Sequence, residues 1–290
     1  MKPTRNRELP LPRRQGESSD KGLRTARRSV PTWMGMIMLG VVVTAAVLAP
    51  VLSKHGPQEQ PFREEIFAAP SWQHPLGVDG AGRDVSTRML YGARATLGIV
   101  LGATVIAVGC GVALGAAAGT LRGVFDAVVG RGVDFLLAFP SILLGLVAMT
   151  VLHPSPASVA VAVGIASLPT VVRQVRAAFV TEGARDYVLA ARAIGAGRWR
   201  IAVREVLPNC AGLILVLTTL TLGGAALEAA GLAFLGLSGQ PDVADWGMML
   251  REGQGAFRVA PWLCVAPGLA ITWSVLAFNL LSDGLRQRGR

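Results

Sequence analysis

Charge is what this chain has little of: 16% of its 290 residues are Asp, Glu, Lys or Arg, whereas 52% are hydrophobic and the mean hydropathy is +0.49. That balance excludes a water-soluble domain and places the chain among all-α polytopic membrane proteins. Histidine and cysteine are equally scarce, with three of each. Cys110, Cys210 and Cys264 form no C-x-x-C pair and have no histidine near them, which excludes a structural zinc site; they sit in or beside apolar runs and read as small packing residues. No G-x-x-x-x-G-K-[S/T] string occurs, so the chain lacks the cradle needed to hold nucleotide phosphates. Lysine is nearly absent too, three against 25 arginines, and nothing in the sequence accounts for that bias. The net charge of +10 falls in blocks outside the apolar segments without aromatic interleaving, which argues against nucleic acid and for a positive-inside membrane topology.

Apolar runs predict about six transmembrane helices, near 33–52, 95–119, 133–152, 156–172, 209–235 and 261–282. Residues 1–31 are basic, rich in Pro, Ser and Gln, and without apolar periodicity, so a disordered cytoplasmic tail is expected there. The run from Trp33 to Leu52 is longer than a signal-peptide core and is expected to stay as the first span. The tail before it nets +6, the segment Arg173 to Pro208 nets +4, and the end from Asp283 nets +2. All three are therefore assigned to the cytoplasm, as are both termini, whereas the loop after span one and the 240–258 loop face outward. The expected organisation is a 1–31 tail, a first helix with its outward loop over 32–93, a transmembrane domain over 94–283, and a short cytoplasmic tail over 284–290.

Between spans four and five, residues 182–209 are charged yet patterned as helix, so they form a cytoplasmic element and not a span. Tyr187, Ala190, Ala191 and Ile194 recur at i, i+3, i+4 and i+7, giving one smooth face that ends at the turn glycine Gly195. Trp199, Ala202, Val203 and Val206 form a second apolar stripe, Ile201 stands amid the charged face, and Leu207-Pro208 closes the unit. Small residues at 190 and 191 suit close seating in a partner's cleft; two helices lying on the membrane interface are the plainer alternative.

Within the spans, Gly98, Gly102, Gly111, Gly115 and Gly119 make a small-residue stripe that lets another backbone approach, either in this chain or in a partner. Pro140, Pro169 and Pro267 fall inside predicted spans, where each removes a helix hydrogen bond, and Pro140 is a candidate border of a pathway. Glu228 is a carboxylate within an apolar run, so it either pairs, with Arg94 as the candidate partner, or faces a wet pathway. Arg131 and Asp134, three apart, read as a local pair.

Three blocks in order carry a family resemblance: His74-Pro-Leu-Gly-Val-Asp-Gly-Ala-Gly-Arg-Asp-Val85 on to Tyr91-Gly-Ala-Arg94; the loop from Asp186 to Asn209; and Gly231 to Pro241 through Trp246-Gly247, Ala260-Pro-Trp262 and Ala277 to Leu285. Together they resemble the C-type permease subunits of dipeptide, oligopeptide and nickel ABC importers. The resemblance implies a type I ABC importer transmembrane domain in the plasma (inner) membrane of a prokaryote, surrounded by lipid. Its implied partners are a second permease, two ABC ATPase subunits that use ATP and Mg, and an extracytoplasmic substrate-binding protein. No cofactor is expected on this chain, which would move substrate and not transform it.

By the same resemblance, the 182–209 segment is the EAA-like coupling loop seated on an ATPase, with Asp186, Tyr187, Ala190, Ala191, Ile194, Gly195, Trp199, Ile201, Leu207 and Pro208 as its site residues. One departure stands out: the acid that names the motif is Leu189 here, leaving shape or Asp186 to do the docking. The outward loop with Pro241, Trp246 and Gly247 would meet the binding protein or cap the pathway, or else is simply an ordered loop.

Two other functions differ in kind. Gly236-Leu-Ser238-Gly239 has the form of an intramembrane serine protease motif, but no histidine follows His153 to activate the serine. An autonomous ion-coupled carrier or channel would rest on Glu228 alone, with no inverted repeat in support.

Overall fold

A computed structural model describes residues 17–53, 55–238 and 244–288. Helices account for the architecture: α1 (Glu17–Leu52), α2 (Val85–Leu121), α3 (Gly123–Leu137), α4 (Ser141–Val151), α5 (Pro156–Glu182), α6 (Asp186–Ala193), α7 (Arg198–Ile201), α8 (Leu207–Phe234), α9 (Trp246–Gln254) and α10 (Trp262–Arg288). A π-helical turn, Ala202–Val206, joins α7 to α8. The described residues contain no strand, only an isolated antiparallel bridge between Val78 and Asp84.

Among the described residues, five stretches are long and apolar enough to cross a membrane: Thr32–Leu52, Val85–Leu121, Pro156–Glu182, Arg198–Phe234 and Trp262–Gln287. The sixth predicted span, 133–152, is not one straight helix. Its place is taken by α3 and α4, which meet at a bend of 98°. The break falls where Pro140, lacking an amide hydrogen, takes an extended ψ of 134° ahead of α4. Pro169 and Pro267, in contrast, lie inside uninterrupted helices.

Other helices overrun their predicted ends, because charged residues mark where a helix leaves the bilayer and not where it stops. α1 begins at Glu17, ahead of the span Thr32–Leu52, and residues 1–16 of the expected tail lie outside the described residues. α2 begins ten residues before the predicted 95, where the Asp84 side chain accepts the Thr87 amide hydrogen at 2.8 Å and caps the helix. α10 runs on to Arg288, absorbing most of the expected C-terminal tail.

The glycine stripe packs within the chain. A Cβ on Gly111 would lie 2.6 Å from Val171 Cγ1, on Gly115 2.8 Å from the Val172 carbonyl, and on Gly119 2.6 Å from Phe179 Cβ, so α2 and α5 touch backbone to backbone. Gly98 has open space instead. Ile99, Val100, Ala103, Val159, Val163, Ala225, Ala229 and Phe278 form the central core where α2, α5, α8 and α10 meet. Of the three cysteines, Cys210 is buried and Cys264 partly so, but Cys110 is exposed and packs in no core.

Thr32 of α1 and the end of α10 lie on one side. Gly284, near the end of α10, abuts Thr32 of α1, while Trp262 at the start of α10 sits with α9 and the start of α2. α2 therefore ends on the side of Thr32 and Gly284, and so does α5, whose Phe179 packs on Gly119. The α6–α7 segment follows on that same side, the side to which the positive-inside pattern of the sequence assigns the cytoplasm.

Candidate functional site

α6 and α7 are joined by a tight turn. Gly195 takes φ +85°, its amide donates to the Arg192 carbonyl at 2.9 Å, and the Ala196 amide reaches back to Ala191 at 3.0 Å. These two bonds make a Schellman closure, which requires a left-handed residue and explains the glycine. Asp186 stands exposed in the first turn of α6, where a carboxylate suits the helix dipole.

The segment has two faces. Toward the body, Val188, Ile201, Ala202 and Val206 are buried with Phe179 of α5 and Cys210 and Leu217 of α8, forming a core of their own. Ile201, out of place in the charge pattern, is one of these anchors, with 4% of its surface exposed. Away from the body, Tyr187, Leu189, Ala190, Ile194, Trp199 and Val203 are exposed, Ile194 at 87%. Ala191 and Leu207 are half-buried and Pro208 exposed. Of the predicted Tyr187–Ala190–Ala191–Ile194 face, Tyr187, Ala190 and Ile194 point outward while Ala191 packs half-buried against the body, and the second stripe is split, with Trp199 and Val203 outward and Ala202 and Val206 inward.

Tyr187 ties the segment down at its start. Its hydroxyl donates to Glu182 Oε2 at 3.2 Å and accepts from Asn209 Nδ2 at 3.3 Å. Burial of that hydroxyl and its bond to Glu182 hold the phenol above its usual pKa, so it stays a donor. Leu207-Pro208 does not end the unit: the helical path continues through Pro208 from Arg198 to Phe234, and the π-helical turn Ala202–Val206 lies immediately before this proline, which has no amide hydrogen to donate.

Inside the membrane, Glu228 of α8 faces the Ser141 and Ser167 hydroxyls, at the α3–α4 break and midway along α5. Its Oε2 is buried without a hydrogen bond. The expected Arg94 partner is not there: Arg94 is exposed, and among the described residues no ion pair includes Glu228. Nor do Arg131 and Asp134 pair. Arg176 of α5 instead grips both oxygens of Asp126 on α3.

On the outward side the structure gathers a cluster that sequence reading missed. Asp79 Oδ2 accepts from Arg83 Nε at 2.6 Å and Arg88 Nη1 at 2.7 Å, and Glu252 Oε2 accepts from Arg83 Nη2 at 2.8 Å and Arg88 Nη1 at 2.5 Å. Arg83 follows Asp79 at i+4, a visible signal, but Glu252 arrives from α9. The cluster pins the outward loop to α9.

Trp246 and Gly247, expected to meet a partner or cap the pathway, are buried. Trp246 donates from Nε1 to the Met89 carbonyl at 3.1 Å, and a Cβ on Gly247 would lie 2.5 Å from the Ala230 carbonyl. Both dock α9 on α2 and α8; Pro241 lies outside the described residues. Asp245 caps α9 by accepting the Met248 amide hydrogen at 2.8 Å, and burial pushes its carboxyl above the usual range. Ser238 of the protease-like string lies buried beside Asp245.

A family of proteins described as binding-protein-dependent transport system inner membrane components matches residues 111–288. Over 261 residues the chain is 37% identical to the dipeptide transport system permease protein DppC of Haemophilus influenzae, covering 87% of this chain and 88% of that one. It is 40% identical over 258 residues to the di/tripeptide transport system permease protein DppC of Pseudomonas aeruginosa, covering 87% and 85%. The Escherichia coli K12 dipeptide transport system permease protein DppC is 40% identical over 266 residues, covering 90% and 88%.

Proposed function

The chain belongs to the binding-protein-dependent transport system inner membrane components, and from that premise we propose that it is the permease subunit of an ATP-driven importer of di- or oligopeptides. It forms half of a translocation pathway in a prokaryotic inner membrane, with a second permease as the other half. Two ATPase subunits use ATP and Mg, and an extracytoplasmic binding protein delivers the substrate. The relatives named for dipeptides and di/tripeptides support that cargo.

One observation carries the reading: α6 and α7 bury one face in the body and leave Tyr187, Ile194 and Trp199 exposed on the other, on the side where Thr32 of α1 meets the end of α10. Apolar side chains held out from a pinned element mark a protein interface. Ala190 on the same face leaves room for close approach. With Leu189 at the acidic position, seating depends on shape, helped by Asp186.

The transmission is mechanical. The stretch Arg198–Phe234 is one helix of 37 residues, roughly 55 Å long at 1.5 Å per residue. Displacement at Trp199 passes along it to Glu228 beside the α3–α4 break, and on to Ala230, against which Gly247 of α9 rests. Glu228, Ser141 and the Pro140 break form the polar border of the pathway in this reading, and broken helices near the midplane are where transporters place such sites.

An autonomous ion-coupled carrier is the alternative, resting on Glu228. Affinity purification of the tagged full-length chain from membranes decides between them. Recovery of an ATPase bearing a phosphate-binding loop together with a second permease supports the importer; recovery of the chain alone under gentle extraction moves the assignment to the carrier.

A further inference from the structure

Behind the coupling segment, on its inward face, lies a cavity of about 370 Å³. Its walls come from three places: the end of α2 and the residue after it, the end of α5, and α6–α7 themselves. Three arginines line it, Arg122, Arg192 and Arg198, and no lining residue is acidic. Arg192 follows the buried Val188 by one helical turn, and Arg198 precedes the buried Ile201 and Ala202 by three and four residues. Both arginines are themselves exposed and line the cavity at its rim, on the edge of the segment nearer the body and away from Ile194.

None of the three arginines forms an ion pair among the described residues. Arg192 makes one long bond, from Nη2 to the Gly183 carbonyl at 3.4 Å. The carboxylate that feels Arg122, Asp126, is already held through both oxygens by Arg176. Arg122 also occupies φ 52°, ψ −169°, backbone that residues other than glycine rarely enter. Phe179, Ile201 and Val206 supply an apolar floor. An arginine rim over an apolar floor, at the cytoplasmic end of a helix bundle, has the chemistry of a lipid-phosphate site.

We propose that this cavity binds a phosphate group, presented by an anionic phospholipid of the cytoplasmic leaflet or by free phosphate, and that the bound anion braces the coupling segment against α2 and α5. The apolar floor favours the phospholipid. Because the walls include both the coupling segment and the spans it must move, occupancy stiffens the joint through which displacement passes. The orientation rests on the importer reading, but binding of the anion does not require an ATPase to be present, so the two fail separately.

The test uses the full-length chain extracted from membranes with whatever subunits accompany it. Retained phosphatidylglycerol and phosphatidylcholine are counted by native mass spectrometry, and inorganic phosphate is titrated onto delipidated protein by 31P NMR. Wild type is expected to retain phosphatidylglycerol in preference to phosphatidylcholine, and Arg192→Gln with Arg198→Gln to weaken it about fivefold per arginine removed. Arg122→Gln, on the opposite wall, lowers retention as well, which guards against misfolding of the loop variant. Arg200→Gln with Arg204→Gln, in the same segment but outside the cavity, leaves retention unchanged. Saturable binding of inorganic phosphate with the same arginine dependence, without lipid retention, assigns the site to free phosphate. Equal retention by wild type and the cavity variants overturns the proposal, as does an equal loss in the Arg200/Arg204 pair. Release of an ATPase at unchanged lipid content also overturns it, since the cavity then receives a partner's carboxylate.

Discussion

The Ala196 amide donates to the Ala191 carbonyl at 3.0 Å across Gly195, and that bond sets α7 at its angle to α6. It keeps Ile201 in the body while Ile194 stays in water. Replacing Gly195 by Pro forbids φ +85° and removes the amide that bonds Arg192, whereas Gly195→Ala meets no atom within 4 Å and suffers only the backbone cost, about 1 kcal/mol. The expected outcome is an Ala variant that retains most substrate-stimulated ATP hydrolysis and a Pro variant that loses it at normal membrane abundance. Immunoblots of membranes alongside hydrolysis assays of the reconstituted complex distinguish the two.

Arg88 is nearly fully buried and bonds both Asp79 and Glu252 through one nitrogen. Arg88→Ala leaves Asp79 without its inner partner and is expected to destabilise the outward half by about 3 to 5 kcal/mol. Arg83→Ala costs less, because that side chain is partly exposed and screened. Thermal unfolding of the detergent-extracted chain should rank the two variants in that order.

Burial raises the pKa of Asp245, so the folded state holds this proton more tightly than the unfolded chain. Its contribution to stability is fully present below the unfolded pKa and declines as pH rises through the folded value. Asp245→Asn keeps an oxygen to accept the Met248 amide hydrogen and carries no charge, so it should flatten that decline. Asp245→Ala loses the cap, at a cost of about 1 kcal/mol. Unfolding curves collected from mildly acidic to neutral pH check both outcomes; a steeper decline in the Asn variant would contradict the assignment.

Gly115 and Gly98 lie on one stripe but in different surroundings. A side chain at Gly115 meets the Val172 carbonyl and Val175, so Gly115→Val should separate α2 from α5 and reduce membrane abundance severalfold, while Gly98→Val is tolerated. Quantitative blots of membranes from cells expressing each variant read the difference.

Apolar run length was enough to find the five straight spans, and the spacing of Ala190, Ala191, Gly195 and Pro208 marked 182–209 as a helical element outside them. The faces of that segment were harder to read, since both are apolar and amphipathicity does not arbitrate between an anchor such as Ile201 and a docking residue such as Trp199. The α3–α4 break was hidden because apolar residues run straight through it, leaving Pro140 as its one local sign. The early start of α2 was hidden because Arg88 looks like a loop residue until Glu252, 164 positions away, is placed against it. Glu228 stood out by its cost in lipid, but its serine neighbours come from two other helices and no local pattern predicts them.

The central claim is that the outward face of α6–α7 seats a separate ATPase. A photo-crosslinking residue placed at Ile194 in intact membranes tests it most directly, with Phe257, exposed beside α9 on the opposite side, as the comparison. The account predicts a crosslinked product from position 194 that contains an ATPase with a phosphate-binding loop, and none from position 257. Crosslinks from 194 to lipid alone, in cells where the chain is functional, would contradict it.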